Sequence, residues 1–152
     1  FDVSITVNEI LSIFKIHAEQ KGLMLTPTLD TGHKHMIYAD QAKLKEIIIN
    51  IIDNSIKYTP QGSIDVSVTS KDGYVLIKVA DTGVGIDKEV MPSLFKEFSR
   101  ADLQKVNILG SGLGLYLAKK FTEAQKGKIW AESEGKDKGS QFYIKFPEAK
   151  HS

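Results

Sequence analysis

The residues best suited to chemistry lie in three stretches, KEIIINIIDNSIKY at 45–58, DTGVGI at 81–86 and GSGLGL at 110–115. In the first, Glu46, Asn50, Asn54 and Tyr58 recur every four residues and would share one stripe of a helix, while Leu44, Ile47, Ile48, Ile51 and Ile52 cover the rest. Asparagine is a mediocre helix former because its amide competes for backbone hydrogen bonds. Two of them beside isoleucines mark either a solvent-facing stripe or a ligand. An amide carbonyl is a hard, neutral oxygen suited to Mg²⁺, which keeps most of its waters and takes one or two protein oxygens beside phosphates.

DTGVGI follows an alternating apolar segment, so Asp81 stands where a strand ends and a carboxylate can be held rigidly. Gly83 and Gly85 let the backbone turn and approach a flat ligand, and Asp81 could accept a hydrogen bond from an amino group such as that of adenine. A plain capped turn would look the same. GSGLGL opens a periodic segment, and a helix start attracts phosphate through unpaired N–H groups and the helix dipole. Neither cluster is a familiar phosphate loop. The chain has no GxxxxGK[ST], and GxGxG after a long connection is not the GxGxxG that follows a strand in dinucleotide-binding folds. The connection from Gly85 to Gly110 is long for a structureless loop, as lids are. In it, Phe95 and Phe98 could anchor a hydrophobic foot or belong to the core, and Arg100 could project charge towards phosphate.

These stretches need elements to hold them. Apolar residues at Val7, Ile10, Leu11, Phe14 and Ala18 predict a first helix over 5–21, closed by Gly22. Extended segments are expected at 23–29 and 35–39. Asp40 stands as the N-cap of a long second helix that Pro60 ends. Residues 63–70 and 74–81 read as a hairpin around Lys71-Asp72-Gly73, PSLFKEFSR as a short helical piece, 111–125 as a third helix, and 128–133 with 141–146 as a last hairpin. The order predicts an α/β two-layer sandwich, with a mixed sheet, three main helices on one face and a flexible lid.

The chain's 152 residues suffice for one core, and a net charge of +1 gives no reason to expect nucleic acid as a partner. The absence of cysteine excludes disulfides and thiolate metal sites. A start at FDVSIT, without initiator methionine or leader pattern, suggests a piece of a longer protein, read as one domain over 1–152.

In order, NIIDNSIKYTP, DTGVGI, LFKEFSR and GSGLGL closely resemble the N, G1, F and G2 boxes of the catalytic ATP-binding domain of sensor histidine kinases, a branch of the Bergerat-fold ATPases. The resemblance runs from the first helix to the closing KGSQFYIKFP. It implies binding of Mg·ATP and donation of the γ-phosphate to a histidine. Asn54 would coordinate Mg²⁺ with Asn50 nearby, Lys57 and Tyr58 would border phosphate and nucleotide, and Asp81 would read the adenine amino group. Gly83, Gly85, Ile86, Gly110, Gly112, Leu113 and Gly114 would complete the nucleotide-binding set, and Asn50, Lys57 and Arg100 would serve the transfer.

The resemblance further implies a histidine-bearing dimerisation domain of the same protein, a response regulator receiver domain, a homodimeric parent and a cytoplasmic location, whether or not the parent is a membrane-bound sensor. Hydrolytic relatives of gyrase, mismatch-repair and chaperone type place a water-activating glutamate four residues before the magnesium asparagine, and here that position is Asn50. A neutral amide cannot take a proton from water, which favours transfer to protein. The alternatives are a non-catalytic pseudokinase module and a hydrolytic Bergerat-type ATPase. Among the four histidines, His17 falls in the first helix, His33 and His35 in a turn and strand, and His151 in the tail, none on an expected phosphoacceptor helix. Gln125-Lys126-Gly127 departs from the His-Gly-Gly that many members carry there.

Overall fold

The computed structural model describes residues 1–30, 32–96 and 114–149. Asp2 caps the first helix, α1 (Val3–Gln20), by accepting a hydrogen bond from the Ser4 amide, and Gly22 closes it at φ +73°. Strand β1 (Met24–Leu29) leads to α2 (Gln41–Lys57), whose N-cap is Asp40, accepting from the Lys43 amide as expected. The Lys21 ammonium donates to the Ile56 carbonyl at 2.6 Å, satisfying an orphan acceptor at the end of α2. Strands β2 (Ser63–Lys71) and β3 (Tyr74–Asp81) form the expected hairpin, with Asp72 and Gly73 both at positive φ, as the tightest hairpin turns require. After α3 (Gly114–Ala124), β4 (Lys128–Glu132) and β5 (Ser140–Pro147) form the last hairpin.

The five strands make one mixed sheet in the order β1-β2-β3-β5-β4, with β1 and β2 parallel across the α2 crossover and all other pairs antiparallel. Edge strand β1 tolerates Pro27, which could not donate within a central ladder. Alternate residues of β2, β3 and β5 face the helices: Ile64, Val66 and Val68, then Val75, Ile77 and Val79, then Phe142, Ile144 and Phe146. Against them lies α2, with Leu44, Ile47, Ile48, Ile51, Ile52 and Ile56 buried, while α1 and α3 pack on its flanks. This is the expected two-layer sandwich.

Two expectations need correction. Residues 35–39 do not form a strand. Met36 makes one isolated bridge to Asp2, because His35 is held otherwise: its amide donates to the Asp2 carboxylate and its buried ring lies 2.5 Å from the Ser70 hydroxyl. PSLFKEFSR is helical over less of its length than expected: its described part holds a single 3-10 turn, Met91–Ser93, with Pro92 in the first turn, where its missing amide costs no ladder bond. Phe98 and Arg100 lie outside the described residues, as do Gly110, Gly112, Leu113 and His151. The departure at Gln125-Lys126-Gly127 is a turn with Lys126 at φ +67°, and a Cβ on Gly127 would meet the Phe146 ring at 2.7 Å.

Because α2 supplies most of the helix layer, truncating one of its buried isoleucines removes transfer free energy and leaves a cavity. Ile48→Ala is expected to destabilise the domain by about 2–5 kcal/mol. Urea unfolding should show a lower midpoint at unchanged slope; a loss under about 1 kcal/mol would mean that the layer closes around the gap.

Candidate nucleotide site

The C-terminal half of α2 is a wall shared by DTGVGI and by Gly114, the described glycine of the second cluster. At its end, the Tyr58 carbonyl accepts from the Val84 amide at 3.0 Å, binding DTGVGI to the helix terminus. Further back, Gly114, the first residue of α3, faces Asn50: a Cβ there would lie 3.8–3.9 Å from the Asn50 amide. Asn50 and Tyr58 are about 12 Å apart along the axis at 1.5 Å per residue, so one elongated ligand could touch both ends. Asn50, Asn54, Lys57 and Tyr58 are all partly exposed. Glu46 is more exposed and pairs with Lys43 at 3.9 Å. Lys57 pairs with Asp53 at 3.1 Å, one turn back, an exposed contact worth only about 0.3–0.5 kcal/mol that a phosphate could displace.

Asp81 ends β3 with 7% exposure. Its Oδ1 accepts from the amides of Gly83 (3.0 Å) and Ser140 (3.2 Å), and its Oδ2 accepts from the Ser140 hydroxyl at 2.9 Å. The carboxylate is thus fixed before any ligand arrives. Ser140 escapes a reading of motifs, yet it is Asp81's direct partner across β3 and β5, so its signal is strand register. The β4–β5 turn holds the loop in place as well: Gly139 donates to the Gly83 carbonyl, Asp137 to the Val84 carbonyl, and the Ile86 amide donates to the Ser133 hydroxyl.

Close approach explains the glycines. A Cβ on Gly83 would lie 2.2 Å from the Tyr58 carbonyl oxygen and 2.7 Å from Thr59 Oγ1, and one on Gly85, at φ +74°, would lie 2.0 Å from the Gly135 carbonyl. Thr59 Oγ1 is buried, and among the described residues it has no hydrogen-bond partner. Native interiors seldom leave such groups unsatisfied. A rigid carboxylate, a backbone without side chains and the Thr59 hydroxyl beside it fit the polar edge of a flat base. At the other end, two amides without a hydrogen-bond partner among the described residues fit a hydrated cation with phosphates.

Residues 39–150 match the family model for histidine kinase-, DNA gyrase B-, and HSP90-like ATPases. The chain belongs to this family. It is 35% identical over 149 residues to the autoinducer 2 sensor kinase/phosphatase LuxQ of Vibrio vulnificus, an alignment covering 93% of the chain and 17% of LuxQ. It is 32% identical over 134 residues to the histidine protein kinase DivJ of Caulobacter vibrioides, covering 88% of the chain and 22% of DivJ. The chain thus spans about a fifth of these relatives. Full-length ShkA, solved in complex with AMPPNP, superposes with a TM-score of 0.86 at 25% identity, over 100% of this chain and 31% of that one. The chain is an ATP-binding domain of the histidine kinase type. Among the described residues, no helix is long and apolar enough to cross a membrane.

Proposed function

We propose that this domain binds Mg·ATP and donates the γ-phosphoryl group to a histidine on a dimerisation domain of the same longer protein, which passes it to a receiver domain. Asp81, with Gly83, Gly85 and Ile86, takes the adenine end; Tyr58 and Lys57 border the ribose and phosphates. Asn54 holds Mg²⁺, which supplies charge neutralisation when bound. Gly110, Gly112, Leu113, Gly114 and Arg100 serve the polyphosphate. In the transfer, the bond from the γ-phosphorus to the β-bridging oxygen breaks, a bond to an imidazole nitrogen forms, the imidazole gives up its proton and ADP leaves. Positioning and charge neutralisation carry most of such a reaction.

One observation favours transfer over hydrolysis. The side chain facing the start of α3 is Asn50, which cannot act as a base, and the nearest carboxylate earlier in the stripe, Glu46, pairs with Lys43. LuxQ and DivJ, named a sensor kinase/phosphatase and a histidine protein kinase and both far longer than this chain, support a domain of a longer protein, and we take that parent as a homodimer with this domain in the cytoplasm.

The test uses the purified chain. It should bind Mg·ATP, hydrolyse it slowly and not label itself with γ-phosphate. Mixed with a fragment bearing the cognate acceptor histidine, it should label that fragment, slowly because the tether that raises effective concentration is missing. Rapid turnover of ATP that survives Asn50→Ala would overturn the reading, because a water-activating base would then lie elsewhere.

A further inference from the structure

The helices cover one face of the sheet, and the other is not an ordinary polar face. Along it, Trp130 stacks on its cross-strand partner Tyr143 with centroids 5.0 Å apart and planes 9° from parallel. The Lys78 ammonium lies over the Tyr143 ring at 5.7 Å, and that of Lys145 over Tyr74 at 4.1 Å. Beside this strip, Thr69, Lys71, Tyr74, Leu76, Trp130 and Lys145 line a shallow pocket of about 330 Å³, with Asp72 at its rim.

The charges on this face are unbalanced. Register sets Lys128 directly opposite Lys145, and like charges in that relation destabilise a sheet. Among the described residues, none of Lys71, Lys78, Lys128 and Lys145 pairs with a carboxylate. Two acids of the same face are engaged, Asp65 accepting from the Thr28 hydroxyl at 2.8 Å and Glu132 hydrogen-bonding Tyr143, which leaves Asp72 at the pocket as the one carboxylate set against these four lysines among the described residues. Partial burial, then that bond and the Glu132 charge, raise the Tyr143 phenol above its ordinary pKa, so the ring stays neutral.

We propose that this helix-free face docks an acidic segment of a partner polypeptide, which sets carboxylates on Lys128 and Lys145 and one apolar or aromatic side chain in the pocket beside Trp130. The lysine pair is a repulsion that a partner's carboxylates would relieve, and the pocket holds one anchor side chain. A nucleic acid fits less well. Base stacking needs free ring faces, and here lysines and a neighbouring ring already lie over those of Tyr74 and Tyr143.

Trp130 is the only tryptophan, so its fluorescence reports on this surface alone. The probe is a short synthetic peptide of glutamates with one central phenylalanine, titrated into the whole chain. It should change the emission saturably and bind more weakly as salt rises. The double variant Lys128→Glu/Lys145→Glu, at one exposed and one half-buried position of the helix-free face, should lose at least about tenfold in affinity while keeping its circular dichroism and its ATP binding. Any of three results would overturn the proposal: no saturable change, equal binding of a peptide with glutamines for glutamates, or tighter binding of a single-stranded oligonucleotide or anionic lipid vesicles.

Discussion

Asp81→Asn is expected to weaken ATP binding by roughly ten- to a hundredfold, the loss of a charge-assisted hydrogen bond worth about 1.5–3 kcal/mol. The protein fills both positions on Oδ1, from the Gly83 and Ser140 amides, and one on Oδ2, from the Ser140 hydroxyl, which leaves the second position on Oδ2 for the base. An asparagine must present its NH₂ group either to those protein donors or to the amino group of the base, and both arrangements set donor against donor. The fold should survive, because the site closes one end of β3 while the sheet is held by ladders along its whole length. Ser140→Ala should cost less, since both backbone donors remain. Gly83→Ala attacks the same place by volume: its Cβ would lie 2.2 Å from the Tyr58 carbonyl oxygen, a backbone atom that cannot swing away. Calorimetry of folded Asp81→Asn showing unchanged ATP affinity would move the base elsewhere.

Local signals were legible wherever one short-range cause dominates. The Asp40 cap, the Gly22 stop and the Asp72-Gly73 turn depend on single residues and stand where the sequence places them. So do the isoleucines of α2, whose 3.6 period leaves no other face to bury. Failures came where a distant partner decides. Residues 35–39 alternate as a strand should, yet His35 is committed to Asp2, Asp30 and Ser70, and no ladder forms beyond one bridge. Ser140 and Ser133 hold the candidate site together, but each acts across a strand pairing or between turns that no motif encodes. The stations proposed for the site could be named from the sequence because each requires a residue type, a carboxylate, an amide or a glycine. Their supporting contacts were not, because many residues could supply them.

Asn54→Ala is expected to cut phosphoryl transfer to the acceptor histidine by at least about a thousandfold, while leaving recognition of the base intact. Removing one well-placed group that stabilises developing charge commonly costs about 10²–10³ in rate, and loss of a metal's position adds to that because attacking and leaving atoms are no longer held in line. Asn54 and Asn50 share the stripe of α2 that Gly114 faces, and neither amide has a hydrogen-bond partner among the described residues. A change to alanine there removes a polar group from a helix surface without opening a cavity, and alanine is the best helix former. The variant should therefore fold at least as well. ATP titrated in chelator should bind it and the parent alike, through the adenine end. Added Mg²⁺ should tighten binding to the parent only. Asn54 and Asp81 thus predict opposite dissections, one losing the magnesium-dependent part of affinity and the other the magnesium-independent part. An Asn54→Ala protein that transfers phosphate at the parent rate would place the metal on other residues and separate the two glycine clusters from the single site inferred for them.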